Sequence, residues 1–192
     1  MEPKEWHHTS PSGQTFLIST SRSLLTPDFI NTVFATKDMY WATPFSVSTV
    51  NQMLDNSLTL GIYLLPTSTS STTSPSPSDS PSSLTPPSSP QPIGLARLIT
   101  DTVTYAYLTD VYIDPAYRGT GLGKRVVACS KELVEQMEGL RWMVLFTGSE
   151  EAEKLYKREL GMQVLGKTEK KDGKGGLTVM GVKREGLRGV DS

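Results

Sequence analysis

Arg118-Gly119-Thr120-Gly121-Leu122-Gly123 sets three glycines at alternate positions behind an arginine, with Lys124 and Arg125 directly after them. A strand-like run from Tyr105 to Ile113 leads into this stretch through Asp114-Pro115, and a strongly periodic helical segment follows. Glycines at a strand-to-helix handover leave backbone amides unpaired at the helix N-terminus, where the helix dipole adds partial positive charge. Glycine accepts backbone angles closed to other residues and lets a ligand approach closely. The chemistry such a stretch offers is capture of phosphate oxygens.

Two nucleotide motifs are excluded. A P-loop needs a glycine five residues before Gly-Lys and a Ser or Thr after it; here those positions are Arg118 and Arg125. The dinucleotide fingerprint is G-x-G-x-x-G and opens its domain, whereas Gly119 to Gly123 reads G-x-G-x-G and follows several strands.

The elements that must position the loop can be read in order. Gln14 to Ser19 reads as a strand. Thr26-Pro27 is an N-cap with proline at the first helical position, ahead of Phe29, Ile30, Val33 and Phe34 at helical spacing. A second helix is expected over Ser46 to Asn56. Strands follow at Leu58 to Leu65, Ile93 to Thr100 and Tyr105 to Ile113, the last two joined by a turn at Asp101-Thr102. Tyr105, Tyr107 and Tyr112 read as one face of that strand. The helix Gly121 to Glu138 carries Leu122, Val126, Cys129, Leu133 and Met137 on one stripe, so Cys129 reads as core packing. Trp142 to Thr147, continuously apolar, reads as a buried strand. Glu150 to Leu160 is a helix with Gly161 as its C-terminal cap, and Met162 to Lys167 and Leu177 to Lys183 form a final strand pair. Their connection, Thr168 to Gly176, is expected to be mobile, and the tail after Arg184 loose. The predicted order is βααβββαβαββ, a mixed α/β (α+β) sheet of about seven strands with helices on both faces.

Composition narrows the function classes. A chain of 192 residues, 36% hydrophobic and 20% charged, suits a single globular domain over 1–192. A net charge of -1 gives no general pull toward nucleic acid or anionic membrane. No apolar run approaches the roughly 18 residues of a membrane span, and Met1 to Glu5 lack the apolar core of a secretory leader, so a cytoplasmic protein is expected. One cysteine and two histidines make a protein zinc site a poor expectation, and no metal is predicted. Residues 67–90 are Ser, Thr or Pro except Asp79 and Leu84. Such a segment buries too little apolar surface to offset its ordering entropy and reads as a low-complexity loop inserted between two strands.

The R-x-x-G-x-G loop after Val111-Tyr112-Ile113-Asp114-Pro115 resembles the acetyl-coenzyme A loop of the GNAT acetyltransferase superfamily. Ala152, Leu155, Tyr156 and Gly161-Met162 are similar to its A-x-x-L-Y…G-F segment, with Met162 in place of Phe. The element order is also that of the superfamily, and the likeness is strongest from Ile93 to Met162. Weaker likeness at Tyr40-Trp41, Ser57 to Tyr63 and Gly94 to Asp101 resembles a group of small members whose acceptors are mostly unassigned.

The resemblance implies acetyl transfer from acetyl-coenzyme A to a primary amine of a small molecule, by direct attack in a ternary complex. It implies a cleft where the strand ending at Ile113 splays from the strand starting at Trp142. Val111, Tyr112 and Ile113 would border the pantetheine arm, with an amide near Val111 polarising the acetyl carbonyl. Arg118, Gly119, Thr120, Gly121, Leu122, Gly123 and Lys124 would hold the pyrophosphate. Ser149 would flank the arm where many members carry Asn. Tyr156 matches the family's general acid, set against an amphipathic core tyrosine. Asp110, amid Leu108, Val111 and Ile113, is a base with a raised pKa or else a salt-bridged or turn-capping aspartate; a water chain could take the proton instead. Tyr40 and Trp41 stand where the family builds its acceptor wall, or pack in the core. His7 and His8 read as exposed. Protein acetylation, and acyl-coenzyme A binding without turnover, are the alternatives. A monomer or a homodimer fits equally.

Overall fold

The computed structural model describes residues 2–66, 89–168 and 176–189. The described residues form one eight-stranded sheet ordered β1-β2-β3-β4-β5-β6-β8-β7. Its strands are β1 (Glu5–Thr9), β2 (Thr15–Ser19), β3 (Leu58–Leu64), β4 (Gln91–Thr100), β5 (Tyr105–Ile113), β6 (Trp142–Thr147), β7 (Gln163–Lys167) and β8 (Thr178–Val182). All neighbours are antiparallel except β5 and β6, which run parallel. The helices are α1 (Pro27–Phe34), α2 (Val47–Asp55), α3 (Leu122–Glu135), α4 (Glu150–Leu160) and α5 (Arg184–Arg188).

Local chemistry accounts for most boundaries. Thr26, Ser46 and Ser149 cap α1, α2 and α4 by accepting from Phe29, Thr49 and Ala152 amides. Gly161 ends α4 at φ 64°, a left-handed cap. The β4–β5 turn is held by the Asp101 carboxylate, which accepts from the amides of Val103, Thr104 and Tyr105. The Thr104 hydroxyl, which donates to the other carboxylate oxygen, and then those amides hold Asp101 far below the usual carboxylate range.

Two cores lie on opposite faces of the sheet. One packs α3, α4 and α5 against residues that include Phe16, Ile62, Leu108 and Leu145; Cys129 sits inside it, its thiol pushed up to about 12 by burial. The other packs α1 and α2 against Leu17, Tyr63, Leu95 and Tyr112, which come from β2 to β5 only. On that face β6 therefore has no helix over it. Trp142–Thr147 is buried on one face, not on two as its apolar run predicts, and Phe146 is 51% exposed.

Two elements extend the predicted order. The polar N-terminal segment, for which no element is predicted, is the edge strand β1, pairing with β2 from Glu5↔Ser19 to Thr9↔Thr15. Its inward residues are Trp6 and His8, whose polar neighbours hide the alternation. The tail beyond Arg184 begins with α5, which seats Leu187 fully in the first core; five residues are too few to show a helical period. Most of the Ser/Thr/Pro segment (67–88), most of the Lys/Gly connection (169–175) and residues 190–192 lie outside the described residues.

Leu187→Ala is expected to lower unfolding free energy by about 2–5 kcal/mol, as truncation of a buried leucine does. Urea denaturation checks this, and a loss under about 1 kcal/mol would mean the tail does not dock in solution.

Candidate active site

Strands β5 and β6 pair from Tyr105↔Trp142 to Leu108↔Leu145 and then part. The cause is a bulge in β5. Leu95 faces Tyr112 and Arg97 faces Thr109, so Asp110 and Val111 together oppose Ala96. Asp110 takes φ 52°, which turns the strand. The bulge also inverts the alternation: Ala106 and Leu108 point toward α3 before it, Val111 and Ile113 after it. This brings Tyr112 onto the same face as Tyr107, as the sequence reading required, although strict alternation would oppose them. Asp114 N–H bonds to Ile93 O on β4. Counting back by two, the backbone groups of Tyr112 serve β4, while those of Val111 and Ile113 face the gap. The Ile113 carbonyl accepts from Arg118 Nε at 2.9 Å.

The gap opens into a cavity of about 470 Å³. Tyr40, Trp41, Asp110, Val111, Ser149 and Tyr156 all reach it, as do Tyr107 and Phe146. Tyr112 does not: its ring lies in the second core beneath the Arg118 guanidinium, 6.0 Å from the ring centroid. Tyr156 is buried, and desolvation pushes its phenol up to about 12, so it keeps its proton at neutral pH. Ser149 is committed to capping α4 and donates to Glu151.

Asp110 is the salt-bridged aspartate of the two sequence readings. Arg97 donates to Oδ2 through Nε and Nη2, both at 2.8 Å, and Trp41 Nε1 and Thr109 Oγ1 each donate to Oδ1 at 3.2 Å. Four donors match the roughly four lone-pair sites of a carboxylate. Asp110 is buried and Arg97 partly so, and the pair fixes Trp41 at the cavity wall. Tyr40 stacks edge-on against Trp41 with centroids 4.9 Å apart and carries its hydroxyl across the gap to Gly148, where an added Cβ would lie 2.9 Å away. Neither aromatic is core: they are 65% and 53% exposed.

Beside the cavity, Gly119 and Gly121 adopt φ 80° and 87°, conformations that L side chains rarely take. Gly121 is the N-cap of α3 and supplies no side chain, so the first amides of the helix are not capped from within. The loop is fixed from several sides. Thr120 Oγ1 donates to Tyr117 O, and Arg118 pairs with Asp38. His8 Nε2 lies 2.9 Å from the Thr120 carbonyl. His8 is therefore not the exposed residue that its polar segment predicts. Its ring stacks on Phe16 and abuts Gly121. Peptide planarity opposes C=O and N–H, so a Thr120 carbonyl held by His8 turns the Gly121 N–H outward, away from β1. Lys124 pairs with Glu159 at 3.6 Å. Sequence reasoning missed His8, Gly148, Phe146 and Asp38. A Trp-x-His alternation at Trp6 and His8 was the one local sign of the first.

The sequence profile described as the acetyltransferase (GNAT) family matches residues 72–162. A Gibberella zeae protein named a putative acetyltransferase is 30% identical over 158 residues, covering 81% of this chain and 85% of its own. A Xanthomonas campestris protein described as belonging to the GNAT family is 28% identical, with 74% of this chain and 81% of that one aligned at a TM-score of 0.54. Spermidine N-acetyltransferase from Vibrio cholerae, solved with CoA and spermine, aligns over 90% of this chain and 98% of that one at a TM-score of 0.62; at 14% identity this is a likeness of fold.

Asp110→Ala leaves the partly buried Arg97 guanidinium without its partner, and the expected loss of stability is about 2–4 kcal/mol, somewhat under that for a fully buried pair. Replacing Arg97 with Met in the same chain should recover most of it. A single variant as stable as the parent in urea would contradict the arrangement.

Proposed function

The chain belongs to the acetyltransferase (GNAT) family, and we propose that it transfers an acetyl group from acetyl-coenzyme A to a primary amine of a small molecule, by direct attack in a ternary complex. One observation carries this reading: the free edge of β5 at Val111 and Ile113 runs straight into a helix N-terminus opened by two left-handed glycines. That is a strand-like arm site continuous with an anion cradle. Bound there, acetyl-coenzyme A supplies an activated thioester.

The residues of the chain divide the work. Val111 borders the arm and offers its backbone N–H to the acetyl carbonyl. Amides from Gly119 to Lys124 receive the pyrophosphate, with Arg118 adding charge and Leu122 anchoring the first turn of α3 in the core. Ser149 contributes by fixing the start of α4, and α4 in turn carries Tyr156 into the cavity. Tyr156, still protonated at neutral pH, donates to the departing thiolate. Asp110 positions Trp41 and does not act as the base, because its lone pairs are already committed. The amine, with a solution pKa near 10, loses its proton to water in the cavity. Tyr40 and Trp41 form the acceptor wall. Among the described residues no helix is long and apolar enough to cross a membrane, and a single catalytic domain working in the cytoplasm accords with the reading. The polyamine acceptor of the Vibrio cholerae enzyme does not transfer with the fold.

Calorimetric titration should give micromolar binding of acetyl-coenzyme A and none of ATP; absence of coenzyme A binding would end the proposal. Tyr156→Phe should lower kcat by about 10²–10⁴-fold while sparing that binding. Because Tyr156 holds its proton to about 12, the parent's rate should climb with pH as the amine deprotonates and level off. A fall before about pH 10 would point to a different acid.

A further inference from the structure

The acceptor side of the cavity lies on the α1/α2 face of the sheet. Leu108 and Leu145 belong to the core under α3 and α4; by strand alternation, their neighbours Tyr107 and Phe146 face the other way. These two rings meet edge to face at 5.6 Å and form a floor. Tyr40 and Trp41 form a wall, also edge to face. Leu177 also lines the cavity. Three of the four rings are at least half exposed, as is unusual for aromatics that do no more than pack.

The charges on the same wall are already spent. Two carboxylates line the cavity, Asp38 and Asp110. Asp38 pairs with Arg118, whose Nε is fixed on the Ile113 carbonyl, and the buried Asp110 pairs with Arg97. Among the described lining residues no carboxylate is left to take a second ammonium group. A polyamine acceptor would bring one reacting amine and further cations, with no uncommitted carboxylate among the described lining residues to neutralise them. A flat apolar body would instead meet ring faces and edges on two sides.

Resting on the acetyl-transfer reading above, we propose that the acceptor is an arylalkylamine: a primary amine on a short chain from an aromatic ring. The ring lies between the Tyr40–Trp41 wall and the Tyr107–Phe146 floor. The amine points along β5 toward Val111 and Tyr156. Selectivity comes from ring contacts and from the prior commitment of both carboxylates among the described lining residues.

The test is thiol release from acetyl-coenzyme A by the full chain with 2-phenylethylamine, tryptamine, hexylamine and spermidine, beside calorimetry of coenzyme A binding. The two aryl amines should show kcat/KM at least about tenfold above hexylamine and spermidine, several aromatic contacts being worth that much together. Phe146→Ala should raise KM for 2-phenylethylamine about three- to tenfold, with kcat and coenzyme A affinity held. Spermidine or hexylamine matching the aryl amines overturns the proposal and leaves acetyl transfer standing, as does an unchanged KM in Phe146→Ala. Coenzyme A binding with no amine acetylated overturns acetyl transfer itself, and this proposal with it.

Discussion

The bulge at Asp110 is the constraint on which the rest of the site depends. A parallel pair that ran the full length of β5 and β6 would close the sheet and leave no cavity. One extra residue in β5 ends the pairing, frees the edge at Val111 and Ile113, and swaps the faces on which later side chains emerge. The bulged residue sits at positive φ, a conformation an aspartate tolerates better than most non-glycine residues but still at a cost. The surroundings over-determine it: Arg97 from β4 and Trp41 from the segment after α1 both grip its carboxylate. The same contacts that hold the strain in place set the aromatic wall, so cleft and wall are products of one local distortion.

The two helical layers cover the sheet unequally, and this asymmetry decides what the cavity is made of. Under α3, α4 and α5 the sheet is sealed from β2 to β8. On the other face α1 and α2 stop at β5, leaving Phe146 and Tyr107 to form an open aromatic surface beside the gap. The site occupies the boundary between covered and uncovered sheet. Tyr40 bridges that boundary to Gly148, where a larger residue would collide with its hydroxyl.

Much of this was legible in the sequence because the signals were local and strong. Trp142–Thr147 and Glu150–Leu160 match their predicted limits, Thr26 caps α1 as predicted, and Gly121 opens α3. The missed elements lacked a period to detect. β1 is an edge strand whose outward residues are Glu5, His7 and Thr9, and α5 is barely more than one turn. The aspartate could be named as a candidate but not assigned, because its partners Arg97, Trp41 and Thr109 come together through the fold. Phe146 looked like core because a run of apolar residues cannot announce that one face will lack a cover. The loop's glycines were plain; the histidine that holds them was not.

His8 and Thr120 stand 112 residues apart, yet their hydrogen bond fixes the peptide that the anion cradle uses. The loop and α3 can form from neighbouring sequence, but the orientation of that carbonyl requires the first strand to have docked on the finished sheet. The cradle thus rests on a contact of high sequence separation and is not a portable module. A fragment limited to the profile-matched residues 72–162 would carry every residue of the motif while lacking the ring that orients it. Motif and site are separable quantities in this chain: one is written within six consecutive residues, the other is distributed over both ends of the molecule.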